Sequence, residues 1–284
     1  MRVIDDTQND LVRLMAADFG FLPSGDYQAD FVNWIHFRAR RVPRLPRQVF
    51  ISQEVNNHEI QYPSIKKIRS ALMLGENIDP WLSKKTQKNK TNYKYDMLFN
   101  DWQIIHFHLS EIFQSKTEIR RTKSLLFVHI TAKEATLLDV SPHGSWTMIN
   151  LLEILLRTNP IVLKRYEFLG VTPWRLSDEQ YKNLRGKHAN LIIEISGRAF
   201  MPGGGILASG HAARLYFYRD CFFNMIKKIQ HDLSADKVEP HLKPAIYARL
   251  GVPIKLGAYY DDHGMALVDK NRNGLVLHQM KPLE

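Results

Sequence analysis

Asp101-Trp102-Gln103-Ile104-Ile105-His106-Phe107-His108-Leu109-Ser110 decides how this chain is read. It is rich in β-branched and aromatic residues, and side chains on a pleated strand project to opposite faces in turn. His106 and His108 therefore share one face, and Ile105, Phe107 and Leu109 share the other. Two more apolar runs follow, Ser124 to Ile130 and Ala135 to Val140, separated by a tight turn at Thr131 to Glu134, and the three predict an antiparallel meander. His129 and His143 join the same sheet or its edge. Ile149, Leu151, Leu152, Leu155 and Leu156 are spaced for a helix, expected to cover the apolar face and leave the imidazoles open to water.

Outward from this centre, Leu11, Leu14 and Met15 mark one short helix, and Phe31, Trp34, Ile35 and Arg38 mark a second. The stretch from Arg40 to Arg47 carries two prolines and is expected to be extended. Ser64 is expected to cap a helix on Ile65, Ile68 and Leu72, ended by a left-handed Gly75. Ser83 to Tyr95 is lysine-rich and predicts a charged loop. Beyond Pro160, Ser177-Asp178-Glu179-Gln180 predicts a capping box, and Leu191 to Ile195 a buried strand. A glycine-rich turn at Met201 to His211 leads to a helix over Ala212 to Gln230, and three short strands complete the C-terminus. The fold class is α+β: helices plus an antiparallel sheet, followed by a mixed α/β C-terminal extension. The boundary is expected near Pro160, giving domains 1–159 and 160–284.

Thirty-nine Lys and Arg against twenty-nine Asp and Glu give a net charge of +10, the balance of a surface that meets a polyanion. The basic residues are bunched: Arg38, Arg40, Arg41, Arg44 and Arg47, then Lys66, Lys67 and Arg69, then Lys84, Lys85, Lys88, Lys90 and Lys94. One cysteine, Cys221, excludes an intrachain disulfide framework and a cysteine-built zinc cage. The first ten residues hold three Asp and no apolar run, unlike a secretory signal, and no stretch reaches the ~18 apolar residues of a membrane span. A cytoplasmic protein with no membrane partner is expected.

Imidazoles move protons near neutral pH and guanidinium groups match phosphate oxygens in paired hydrogen bonds, so a face joining both suits phosphodiester chemistry. On this reading His106, His108, His143 and Arg121 are the catalytic candidates. Arg120, Lys123, Arg41, Arg44, Lys84 and Lys85 are phosphate-binding candidates, and Trp146 could stack a base. No cofactor and no metal are required.

The order Asp101-Trp102-Gln103-Ile104-Ile105-His106-Phe107-His108, Arg121-Thr122-Lys123-Ser124-Leu125-Leu126-Phe127-Val128 and Ala135-Thr136-Leu137-Leu138-Asp139-Val140-Ser141-Pro142-His143 resembles ribonuclease toxins of the RelE and HigB kind. The resemblance covers residues 60–146. It implies a RelE-like sheet, metal-independent RNA cleavage by attack of a 2′-hydroxyl on the adjacent phosphate, and a toxin-antitoxin or phage-defence setting. Partners so implied are RNA and an antitoxin or defence-complex protein. Those toxins are much shorter, and they offer no counterpart of the glycine-rich turn or the C-terminal strands.

Two other readings stand beside it. A non-catalytic nucleic-acid or ribonucleoprotein binding protein would use the arginine and lysine clusters alone. A His-ligated metal enzyme of cupin type would use His106 and His108 with Glu111 and His129 or His143. Gly203-Gly204-Gly205 lacks the ending of a nucleotide-binding P-loop, although His211 and Arg214 beside it could touch a phosphate. Asp261-Asp262-His263 is expected to close a hairpin.

Overall fold

The computed structural model describes residues 1–20, 26–83, 96–115, 118–142, 148–208, 210–249 and 251–282. Along the chain run β1 (Val3–Asp5), α1 (Thr7–Phe19), α2 (Tyr27–Ala39), β2 (Gln48–Ile51), α3 (Gln53–Asn56), α4 (Ser64–Leu74) and α5 (Met97–Trp102). Then come β3 (Ile104–His108), β4 (Ser124–Ile130), β5 (Glu134–Pro142), α6 (Met148–Thr158), β6 (Glu167–Phe168) and α7 (Asp178–Gly186). Last are β7 (Ile193–Ile195), β8 (Arg198–Phe200), α8 (Ala213–Ser234), α9 (Lys243–Tyr247), β9 (Ile254–Asp261), β10 (Gly264–Asp269) and β11 (Leu275–Gln279). The fold is mixed α/β, with sheets that contain antiparallel pairs.

The chain forms two units, Met1–Ala39 with Leu215–Leu283, and Arg40–Arg214. This grouping crosses the 159/160 boundary read from sequence because β1 pairs in parallel with β9, Val3 opposite Ile254, so both ends of the chain build one sheet. In that first unit the strand order is β1-β9-β10-β11. Phe31 stacks on Phe222 with ring centroids 5.5 Å apart, and Trp34 donates its indole N–H to Asp18 at 2.6 Å. Asp261-Asp262-His263 does close the β9–β10 hairpin, with the His263 N–H donated to Asp261 at 2.8 Å.

The second unit holds a four-stranded sheet of order β2-β5-β4-β3 and a three-stranded sheet of order β6-β8-β7. The meander β3-β4-β5 is antiparallel as expected, with Ile104 opposite His129 and His108 opposite Leu125. Sequence periodicity did not reveal β2, a four-residue edge strand parallel to β5.

Both faces of this sheet are covered. Phe107, Leu109, Leu126, Val128, Leu137 and Val140 pack with Ile65, Ile68 and Leu72 of α4. Ile104, Leu125, Phe127 and Leu138 pack with Leu151, Leu152 and Leu155 of α6. The helix expected over the apolar side of β3 thus lies on the histidine side. The unbroken apolar run Leu125-Leu126-Phe127-Val128 is what a strand buried on two sides requires.

The caps divide similarly. Ser177 forms the expected capping box with Gln180. Gly75 ends α4 at φ 72, where an added Cβ would lie 2.7 Å from Pro46 N. Ser64 is not the cap: it lies inside the first turn, and its buried hydroxyl donates to Leu109 O at 2.9 Å, tying α4 to the end of β3.

Candidate functional site

β3 places His106 half-buried between His108 and Phe127, with ring centroids 6.3 and 6.1 Å away. His108 is buried, and its Nδ1 accepts the Thr122 N–H at 3.3 Å, which leaves the proton of the neutral ring on Nε2. Thr122 Oγ1 also accepts the Leu109 N–H at 2.9 Å, so the segment entering β4 is bolted to the end of β3. His129 lies opposite Ile104 on the same face but is fully buried. Phe127 pairs with Asp139 and Leu125 with Ser141, which brings a carboxylate and a hydroxyl to the histidine side. Asp139 accepts hydrogen bonds from its neighbour's N–H at 2.8 Å and from the Ser141 hydroxyl.

Arg120, Arg121 and Lys123 are exposed where the chain approaches β4, and none makes an ion pair with a described residue. The Arg120 N–H donates to Ile112 O at 2.7 Å, which aligns this segment with the chain leaving β3. Thr122 thus ties the segment that carries Arg121 and Lys123 to His108, and His106 is the most accessible of the three described imidazoles on this face. His143, Trp146, Lys84 and Lys85 lie outside the described residues.

The earlier arginine cluster is mostly structural. Arg38 pairs with Asp18 in the first unit. In the second, Arg40 bonds Asp96 at 2.8 Å, and Arg47 donates to the carbonyls of Thr131, Pro43 and Leu45. Arg44 is exposed and Arg41 half-buried.

No group of three or more His, Cys, Asp or Glu that could hold a metal occurs among the described residues, so those residues offer no cupin-type donor set. Nor is any described helix long and apolar enough to cross a membrane.

A polar cluster that sequence patterning missed lies where α5 hands over to β3. Asp101 is buried, and its oxygens accept from Arg185 Nε at 3.0 Å, from Arg185 Nη2, and from the Tyr181 hydroxyl at 2.6 Å. Burial and the Asp101 charge push the Tyr181 hydroxyl well above its ordinary pKa. Gln103 follows in left-handed conformation, φ 56. Its amide oxygen faces three donors, Arg165 Nη2, Arg214 Nη1 and the Tyr166 hydroxyl, each at 3.1 Å, while its NH2 group donates to Ile130 O at 3.3 Å. The glycine-rich turn closes over α5 from the other side: a Cβ on Gly203 would sit 2.8 Å from Asn100 O. That packing, and not phosphate binding by the turn, accounts for the glycine there.

No family model matches the chain, and neither a curated protein nor a solved structure matches it significantly.

Proposed function

We propose that the second unit binds RNA through the cations flanking the start of β4. The observation that carries this reading is the exposure of Arg120, Arg121 and Lys123 together, without an acidic partner among the described residues. Three adjacent, hydrated cations repel one another and contribute little to folding, whereas each gains on meeting a phosphate by releasing condensed counterions. Arg44 and the lysines of residues 84–95 would extend the footprint.

A second reading, metal-independent RNA cleavage, is favoured by one placement: half-buried His106 on the same face as Asp139 and Ser141. In that reaction a 2′-hydroxyl oxygen bonds to phosphorus while the bond to the 5′-oxygen breaks. His106 would take the 2′ proton, Arg121 would hold the phosphate oxygens, and a second group, the role expected of His143, would return a proton to the leaving oxygen. Helices followed by a meander, with a basic entry to the middle strand, support a RelE-like toxin as the setting. An acidic antitoxin-like protein would then compete for the same cations.

Fluorescence anisotropy with a labelled single-stranded RNA tests the first reading. The triple variant Arg120→Gln, Arg121→Gln, Lys123→Gln should bind far more weakly, and unchanged affinity rules the interface out. Incubating RNA with purified protein in EDTA tests the second. Cleavage that is lost in His106→Ala but retained in Lys228→Gln, an exposed position of the first unit, supports it, and intact RNA in every lane removes it.

A further inference from the structure

We infer that Arg214, Arg165 and His129 form a second anion site, one that takes a phosphate monoester. Arg214 opens α8 and carries the argument. One of its Nη atoms closes α5 by donating to Phe99 O at 3.0 Å, and the other reaches Gln103 at 3.1 Å. Its Nε is buried without a hydrogen-bond partner, and no carboxylate pairs with it among the described residues. Asp101, the acid whose charge acts on it, is already engaged by Arg185 and Tyr181. A dehydrated guanidinium without a counter-ion is costly, and a charge left in that state is ordinarily paired. Burial accordingly pulls its pKa down to about 10, with the Arg165 charge adding to the effect.

His129 is the independent observation. It is fully buried, and neither ring nitrogen has a hydrogen-bond partner. It lies one residue before Ile130, whose carbonyl takes the Gln103 amide and whose N–H donates to Gln103 O at 3.3 Å. Arg165 and Arg214 both act on it electrostatically. Both guanidiniums donate to the one Gln103 amide oxygen, so the two groups stand close together, and an anion beside them would take N–H groups that this oxygen leaves over, Arg214 Nε first.

Arg165 is exposed, while His129 is fully enclosed. A ligand that reaches His129 from the Arg165 side has to enter end-on, which suits a terminal phosphate and not one flanked by nucleotides on both sides. The ligand is therefore a phosphate monoester, borne by a free mononucleotide or by the end of an RNA strand.

Thermal-shift titration of the full chain tests this, using inorganic phosphate, a nucleoside monophosphate, the matching nucleoside, and an RNA oligomer with either phosphate or hydroxyl ends. Phosphate and the monophosphate should raise Tm saturably and the nucleoside should not. A response confined to end-phosphorylated RNA would identify the strand terminus as the source. Arg165→Gln, at an exposed position, should weaken the response roughly ten-fold, and Arg214→Gln should abolish it. The triple variant at Arg120, Arg121 and Lys123 should keep the response to inorganic phosphate, which separates this site from the RNA interface. No saturable shift with any phosphorylated probe, or a shift that Arg165→Gln leaves intact, overturns the inference.

Discussion

His129 shows how position overrides residue type. Burial first, then the charges of Arg165 and Arg214, lower its pKa from the ordinary 6.5 to about 3. It is neutral in the folded protein at any mild pH, which removes it from proton transfer although its face is the one expected. The unfolded chain protonates it near pH 6.5, so between about pH 6.5 and about 3 unfolding takes up a proton and stability declines as pH falls. The slope is about 1.4 kcal/mol per pH unit for one such group. Urea denaturation at pH 7.5 and 5.5 should show His129→Leu losing less stability than the parent across that interval. Equal losses would mean that His129 is solvated. His106, two positions along β3 from the partner of His129, is half-buried, and the cleavage assay with His106→Ala asks whether it moves a proton.

At the scale of elements, α5 and the glycine-rich turn form one unit of packing. Gly203 adopts φ 46, and a side chain there would strike the carbonyls of Asn100 and Asp101 at 2.8 and 3.0 Å. Gly203→Ala combines a left-handed strain with a backbone clash, and should cost more than about 1 kcal/mol. Thermal denaturation would register the loss, and an unchanged Tm would show that the turn moves aside without cost. The same scale explains what could be read in advance. The meander, α4, α6 and the capping box at Ser177 were legible because each rests on short-range periodicity or on a pair three residues apart. β2 was not, since four residues offer too little pattern and its identity comes only from pairing with β5. The misplacement of α6 came from taking one face of β3 for the whole sheet, when β4 beside it is apolar on both sides.

Across the whole molecule, charge is the dominant feature, and the fold spends it unevenly. Arg38, Arg40, Arg47 and Arg185 are tied to carboxylates or carbonyls inside their units, so these contribute to structure before they contribute to a partner. Arg120, Arg121 and Lys123 remain hydrated. If they hold three phosphates of single-stranded RNA, replacing them should flatten the slope of log K against log salt by roughly 2. Anisotropy titrations over a range of salt concentrations give that slope directly, and a parallel line would place RNA elsewhere.

By itself the sequence determined the basic character, the alternation that makes β3 a strand, the three-stranded meander and most helices, because these depend on composition and on neighbours a few residues away. Only the tertiary structure decided that both chain ends share a sheet, that α6 lies on the histidine side, and that Gln103, Arg165 and Arg214 converge. Those outcomes depend on contacts between residues far apart in the chain, where burial sets which charges stay in water and which must find a partner.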